Sequence, residues 1–250
     1  MPRLSLIVIT KNEEAAIARC LRSADFADEI VVLDSASADK TAEIARALGA
    51  RVIVSADWPG FGPQKNRALR EASGDWVLSL DADEWIEPAL AAEIKVAIAR
   101  PDAADGYEIP RRSRFCGKIV RHGDWRGDRV LRLFRRARGR FSDDKVHERV
   151  IVDGRIARLA SPLDHDSITD PADAAAKIDR YAAAAAEQLA AEGKTSSEIK
   201  AAFRGWAAFL RGYVWRLGFL DGLTGWRVAD YNRRYTHEKW ARLAKLKRRA

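Results

Sequence analysis

Cysteine is nearly missing from this 250-residue chain. Cys20 and Cys116 stand far apart with no metal-ligand spacing around them, which excludes a disulfide framework and a structural zinc site and favours a reducing compartment. Long apolar runs are missing too. No uncharged stretch approaches the roughly 20 residues that a membrane-spanning helix needs. The short run Leu4 to Ile9 is too brief for a signal peptide's apolar region, so the expectation is a cytoplasmic protein, soluble or lying on a membrane surface. There is no Gly-x-Gly-x-x-Gly after the first strand and no Gly-x-x-x-x-Gly-Lys, so neither a dinucleotide fold nor a P-loop is indicated. Internal repeats and low-complexity linkers are also lacking. What is present is 47% apolar residues, enough for one large α/β domain or such a domain with a helical appendage.

Charge is unevenly placed. The net charge is +8, yet residues 111–140 hold 12 Lys/Arg against 2 Asp/Glu and residues 204–250 hold 12 against 3, so the remainder is acidic. Two basic segments attract phosphate in any form, which leaves nucleic acid, anionic lipid and phosphorylated sugar open as partners. No recognised nucleic-acid-binding module appears, which counts against the first of these.

Along the chain, Leu4 to Ile9 reads as a buried parallel strand followed by a loop, with Asn12 as N-cap of the next helix. The pattern repeats at Glu29 to Leu33, with a helix from Asp39 to Leu48, and a third short strand covers Val52 to Val54. Strands alternating with helices predict a mostly parallel open sheet with its ligand site at the strands' carboxyl ends, where Thr10, Asn12, Asp34 and Asp81 fall. The stretch Trp76 to Leu80 ends abruptly in acid, at Asp81-Ala-Asp-Glu84. Two oxygen ligands that close suit a hard cation, Mg²⁺ or Mn²⁺, able to hold a diphosphate. The alternative is that Asp81, Asp83 and Glu84 only cap the helix that Pro88 opens.

Four segments together carry a resemblance: Leu6-Ile-Val-Ile-Thr-Lys-Asn-Glu-Glu14, Val31-Val-Leu-Asp-Ser-Ala-Ser-Ala-Asp-Lys-Thr41, Gly62-Pro-Gln-Lys-Asn-Arg67 and Leu78-Ser-Leu-Asp-Ala-Asp-Glu84. The chain resembles the GT-A nucleotide-diphospho-sugar glycosyltransferases of family 2. Its later segments, from His122 through Phe134 and Val146-His-Glu148 to Gly218-Phe-Leu-Asp-Gly222, resemble the lipopolysaccharide core β-1,4-glucosyltransferase branch. The resemblance implies an α/β GT-A domain over residues 1–168 and a helical region over 169–250. It implies Asp34 at the uracil or ribose, Thr10, Asn12 and Glu13 lining that pocket, and Lys65 on the sugar-phosphate side. Asp81 would then face ribose and metal, Asp83 would be the firmest metal ligand, and His165 would be a third ligand to metal or diphosphate. The motif departs from the family's usual Gly-Ser-Thr-Asp, reading Ala36-Ser-Ala-Asp39. For Lys65 the alternative is a solvated helix lysine, and for His165 a hydrogen-bonded loop histidine.

An inverting transfer needs a group to take the acceptor hydroxyl's proton. Glu148 is first choice for that base, with Asp143 and Asp144 as competitors and His147 as an orienting neighbour; the alternative for Glu148 is an ion pair with Arg149 or Arg155. Gly106 to Pro110 and Val130 to Phe134 read as strands, and Val150 to Ala157 as a hairpin with an Asp153-Gly154 turn. Beyond Asp170-Pro171 the chain turns helical, and Thr195-Ser-Ser-Glu198 reads as a capping box. The helices that follow hold four of the eight tryptophans among arginines. Rings beside basic side chains suit docking on an anionic membrane surface, or else packing as a helical appendage. The implied partners are a nucleotide-sugar donor and a lipid-anchored oligosaccharide acceptor.

Overall fold

The computed structural model describes residues 2–143 and 148–246. The chain divides into two compact units, one of Met1–Arg111 with Asp128–His165 and one of Arg112–Gly127 with Asp166–Ala250.

The first unit begins with β1 (Leu4–Thr10), α1 (Ile17–Ser23), β2 (Glu29–Asp34), α2 (Thr41–Ala47), β3 (Arg51–Val54), α3 (Phe61–Glu71) and β4 (Trp76–Asp81). The strands pair in parallel in the order β3-β2-β1-β4, so all seven residues of β1 are buried, as its continuous apolar run requires. Gly74 sets the approach to β4. A Cβ there would lie 2.7 Å from Ser5 Oγ and 2.9 Å from the Arg3 carbonyl, whereas the glycine N–H donates to Ser5 Oγ at 2.8 Å. One core lies on each face of this sheet. The first is built on Leu6, Val8, Leu78 and Leu80, the second on Ile7, Ile9, Val77 and Phe134, as the alternation of side chains along a strand dictates.

After β4 come β5 (Glu84–Ile86), α4 (Pro88–Ala99), β6 (Gly106–Phe115), β7 (Lys118–Ile119), β8 (Arg129–Arg135), β9 (Gly139–Phe141), β10 (Val150–Val152), β11 (Ile156–Arg158) and β12 (Leu163–Ile168). β8 runs antiparallel to both β4 and β6, and β5 pairs antiparallel with β12. The expected hairpin over Val150 to Ala157 is not formed. β10 pairs with β9 and β11 runs parallel to β6, because Asp105 captures the connecting segment: its carboxylate accepts from Arg155 N–H at 2.9 Å and its own N–H donates to the Arg155 carbonyl at 2.7 Å. Asn12 is not an N-cap either. α1 begins after Ala16, and Asn12 sits at φ 57° in the preceding loop.

The second unit carries α5 (Pro171–Ala191), α6 (Glu198–Leu210) and α7 (Gly222–Leu246), with a π turn at Arg211–Trp215 and a 3-10 turn at Gly218–Asp221 between the last two. Asp170 caps α5, accepting from the N–H groups of Ala172 and Asp173. For α6 the cap is Ser197, accepting from Lys200 N–H, rather than the Thr195 of the expected capping box. Gly205 lets α6 approach α7 closely, for a Cβ there would stand 3.1 Å from the Arg233 carbonyl. Among the described residues no helix is long and apolar enough to cross a membrane.

Candidate active site

The loops after β1 and β2 are stitched to one another. Asp34, the last residue of β2, accepts from Ser37 N–H at 2.9 Å and from Ser37 Oγ at 2.5 Å, while Asn12 donates its N–H to Ser37 Oγ at 2.9 Å and accepts from Ala38 N–H at 2.8 Å. Glu13 N–H donates to Thr41 Oγ1 at 2.7 Å. The turn requires a left-handed residue at position 36, where Ala36 has φ 54°. That conformation costs an alanine roughly 1–2 kcal/mol, a cost that glycine would not carry. Thr10 is buried at the end of β1, and its Oγ1 has no hydrogen-bond partner among the described residues. An orphaned polar atom at a strand's carboxyl end is a vacancy in bonding that a ligand group can fill.

The acidic turn is held by cations. Lys65 reaches from α3 with its side chain only 3% exposed, placing Nζ 2.8 Å from Asp81 Oδ1 and 2.7 Å from Glu148 Oε1. It is therefore no solvated helix lysine, and Glu148 pairs with it. Arg132, from β8, hydrogen-bonds the other oxygen of Asp81 and also Glu84 Oε1, at 2.7 Å. Glu84 is buried, accepts from Asp81 N–H at 3.0 Å, and lies 3.8 Å from Arg111. None of these acids caps α4, whose N-cap is Glu87. Removal from water opposes ionisation of Asp81, but Arg132 and then Lys65 outweigh it and hold its carboxyl well below the usual range. Burial likewise opposes the charge on Arg132, and Asp81 and Glu84 outweigh it. Behind the turn, burial and then Glu84, Asp83 and Asp81 push the Cys20 thiol far up, which keeps it protonated and inert.

β12 runs beside β5 with His165 opposite Glu84, and this register brings His165 Nε2 to 3.4 Å from Asp83 Oδ2. A carboxylate and an imidazole nitrogen are donors that Mn²⁺ and Mg²⁺ accept, so the pair fits one side of a divalent cation whose remaining positions a diphosphate would fill. Among the described residues no cluster of three or more such side chains occurs, and the oxygens of Asp81 are engaged by Lys65 and Arg132.

Strand ends and register thus bring Lys65, Asp81 and Glu148 together, and Asp83 with His165. Asp143 is exposed just past β9, with no ion pair to these groups among the described residues. Asp144 and His147 lie outside the described residues. The patterns read above name Glu84 only as part of the acidic turn or as a cap, and they do not mark out Arg132 or the Gln64–Ser35 hydrogen bond of 3.0 Å. The one available signal was an arginine sharing a strand face with Phe134 in an otherwise apolar run.

Comparison with known proteins places the chain in a family. The family model described as glycosyl transferase family 2 matches residues 5–153. The chain is 32% identical to the lipopolysaccharide core biosynthesis glycosyltransferase LpsC of Rhizobium meliloti (strain 1021), over 89% of this chain and 87% of that one. It is 31% identical to the uncharacterized glycosyltransferase RT0209 of Rickettsia typhi (strain ATCC VR-144 / Wilmington), over 99% of this chain and 87% of that one. Among solved structures, S. aureus TarS 1-349 aligns with a TM-score of 0.50 at 17% identity, covering 95% of this chain and 90% of TarS, which shows the shared GT-A α/β fold alone. Fold, acid-ended strand and sequence relatives agree: the chain belongs to glycosyl transferase family 2 and is a glycosyltransferase.

Proposed function

We propose that the chain transfers a sugar with inversion from a nucleotide-sugar donor, UDP-glucose, to the heptose region of a lipid-anchored lipopolysaccharide core. The observation that carries this reading is the Lys65 ammonium bridging Asp81 at 2.8 Å and Glu148 at 2.7 Å, since it joins the donor-side acid to a carboxylate just ahead of β10. The similarity to LpsC supports the acceptor class. Asp34, with Thr10, Asn12 and Glu13, receives the nucleoside, and Asp81 faces its ribose. Asp83 and His165 hold Mg²⁺ or Mn²⁺, which supplies charge stabilisation to the departing diphosphate. Lys65 neutralises the same side of the site. Glu148 accepts the proton of the acceptor hydroxyl.

The helices of the second unit dock the enzyme on the cytoplasmic face of an anionic membrane. Support comes from α6, where Ile199, Phe203, Trp206 and Leu210 are 84%, 74%, 56% and 49% exposed and recur at the spacing of one helix face. A second transferase reading, with a polyprenyl phosphate or capsular intermediate as acceptor, shares every donor-side residue and separates only in acceptor assays. The test of the catalytic assignment is Glu148→Gln. Turnover should fall by a factor on the order of 10² to 10⁴ with donor affinity nearly unchanged. If Asp143→Asn or Asp144→Asn shows that profile and Glu148→Gln does not, the base is reassigned.

A further inference from the structure

Between α6 and α7, wholly within the second unit, runs a groove of about 1070 Å³ that the donor chemistry does not use. Its walls include the rings of Phe203, Trp215 and Trp240, and its cations include Lys200, Arg204 and Lys239. Arg204 Cζ stands 4.0 Å from the centre of the Trp240 ring, and Lys239 Nζ stands 6.0 Å from the same centre. Two cations therefore stand beside one indole ring. Burial, and then Arg204, draw the Lys239 ammonium below its ordinary range. The carboxylate lining the groove, Asp124, is already engaged by Arg211, which also lines it, at 3.1 Å from Nε, and by Arg216 Nη1 at 3.0 Å. Among the described residues no ion pair joins Lys200, Arg204 or Lys239 to a carboxylate.

Like charges gathered beside rings, with no carboxylate paired to them among the described residues, are complementary to an anion from outside. The guanidinium of Arg204 offers paired donors that match phosphate oxygens, and Lys239 adds a point charge. The exposed apolar row of α6 begins at this groove, since Ile199 and Phe203 both line it. An anion joined to an apolar body fits both features, whereas a free ion would leave the rings wet.

We propose that the groove binds the headgroup phosphate of an anionic membrane lipid, with Arg204 and Lys239 on its oxygens and Phe203 and Trp215 against the start of the acyl region. This rests on the membrane-docking reading of the second unit and names the groups that give it headgroup selectivity. The experiment is cosedimentation of the full chain with vesicles of phosphatidylcholine alone or mixed with phosphatidylglycerol. The wild type should bind only the mixed vesicles. Arg204→Gln/Lys239→Gln should lower that binding at least about tenfold, since each basic group near an anionic bilayer contributes about one factor of five. Arg22→Gln/Arg46→Gln, an equal charge loss at exposed positions of the first unit, should change it little. Arg204→Glu supplies Lys239 with a carboxylate, so it should melt no lower than wild type while losing vesicle binding.

Unchanged binding in both groove variants, or an equal loss in the control, overturns the groove assignment while wild-type binding leaves membrane docking standing. A wild type that ignores mixed vesicles, or that binds duplex DNA instead, overturns both. Full displacement by inorganic phosphate at unchanged ionic strength would make the occupant a soluble phosphate and overturn the lipid assignment.

Discussion

Arg132 shows how much of the site is buried charge. Its guanidinium is shared by Asp81 and Glu84, and the Glu84 side chain has no exposure at all. Removing one partner of a buried ion pair costs about 3–5 kcal/mol, because the remaining charge keeps its desolvation penalty. Arg132→Met should therefore destabilise the chain by about that amount in urea unfolding. A loss below about 1 kcal/mol, the scale of exposed pairs, would mean that Glu84 is rescued by other groups. The acids Asp81 and Asp83 were legible in the sequence because an apolar strand ending in acid is a local pattern. Lys65 and Glu148 were readable only through likeness to a family. Their pairing spans 83 positions of chain, and the opposing reading of Lys65 as a surface lysine was equally consistent with helical spacing. Arg132 was not legible, since a charged residue in a strand reads as a solvent-facing one until its buried partners are known.

The elements followed their patterns where the pattern was set by burial and failed where a distant side chain competed. β1, β2 and β4 formed from continuous apolar runs, and α5 opened at Asp170-Pro171 as its cap predicts. The Asp153-Gly154 turn lost to Asp105, about fifty residues away, which no local pattern reveals. The cap of α6 is Ser197 rather than Thr195 for a local reason, as the nearer hydroxyl reaches Lys200 N–H. Packing of α6 on α7 depends on Gly205, where added bulk would meet the Arg233 carbonyl at 3.1 Å and His237 Cβ at 3.2 Å. Gly205→Val should lower stability by about 1–3 kcal/mol, the range for forcing bulk into a packed contact. A far-UV circular dichroism melt of the variant reads this directly. No change, or a rise, would mean that the two helices separate without cost.

At the scale of the molecule, the α/β class and the carboxyl-edge site were legible because alternation of strands and helices fixes where the ligand crevice must lie. The two basic segments also point to chain organisation, since residues 112–127 fall in the same compact unit as the helices from 171 onward. That grouping was not legible, because the excursion lies inside what reads as a continuous catalytic region. The most direct measurement is transfer of labelled sugar from UDP-, GDP- and dTDP-sugars to a delipidated heptose-terminated core in the presence of Mn²⁺, with wild type and Asp83→Ala compared side by side. The account predicts transfer from UDP-glucose by the wild type and none by Asp83→Ala, with unfolding of the two proteins alike. Undiminished transfer by Asp83→Ala, or by the wild type after chelation of all divalent cations, would contradict it.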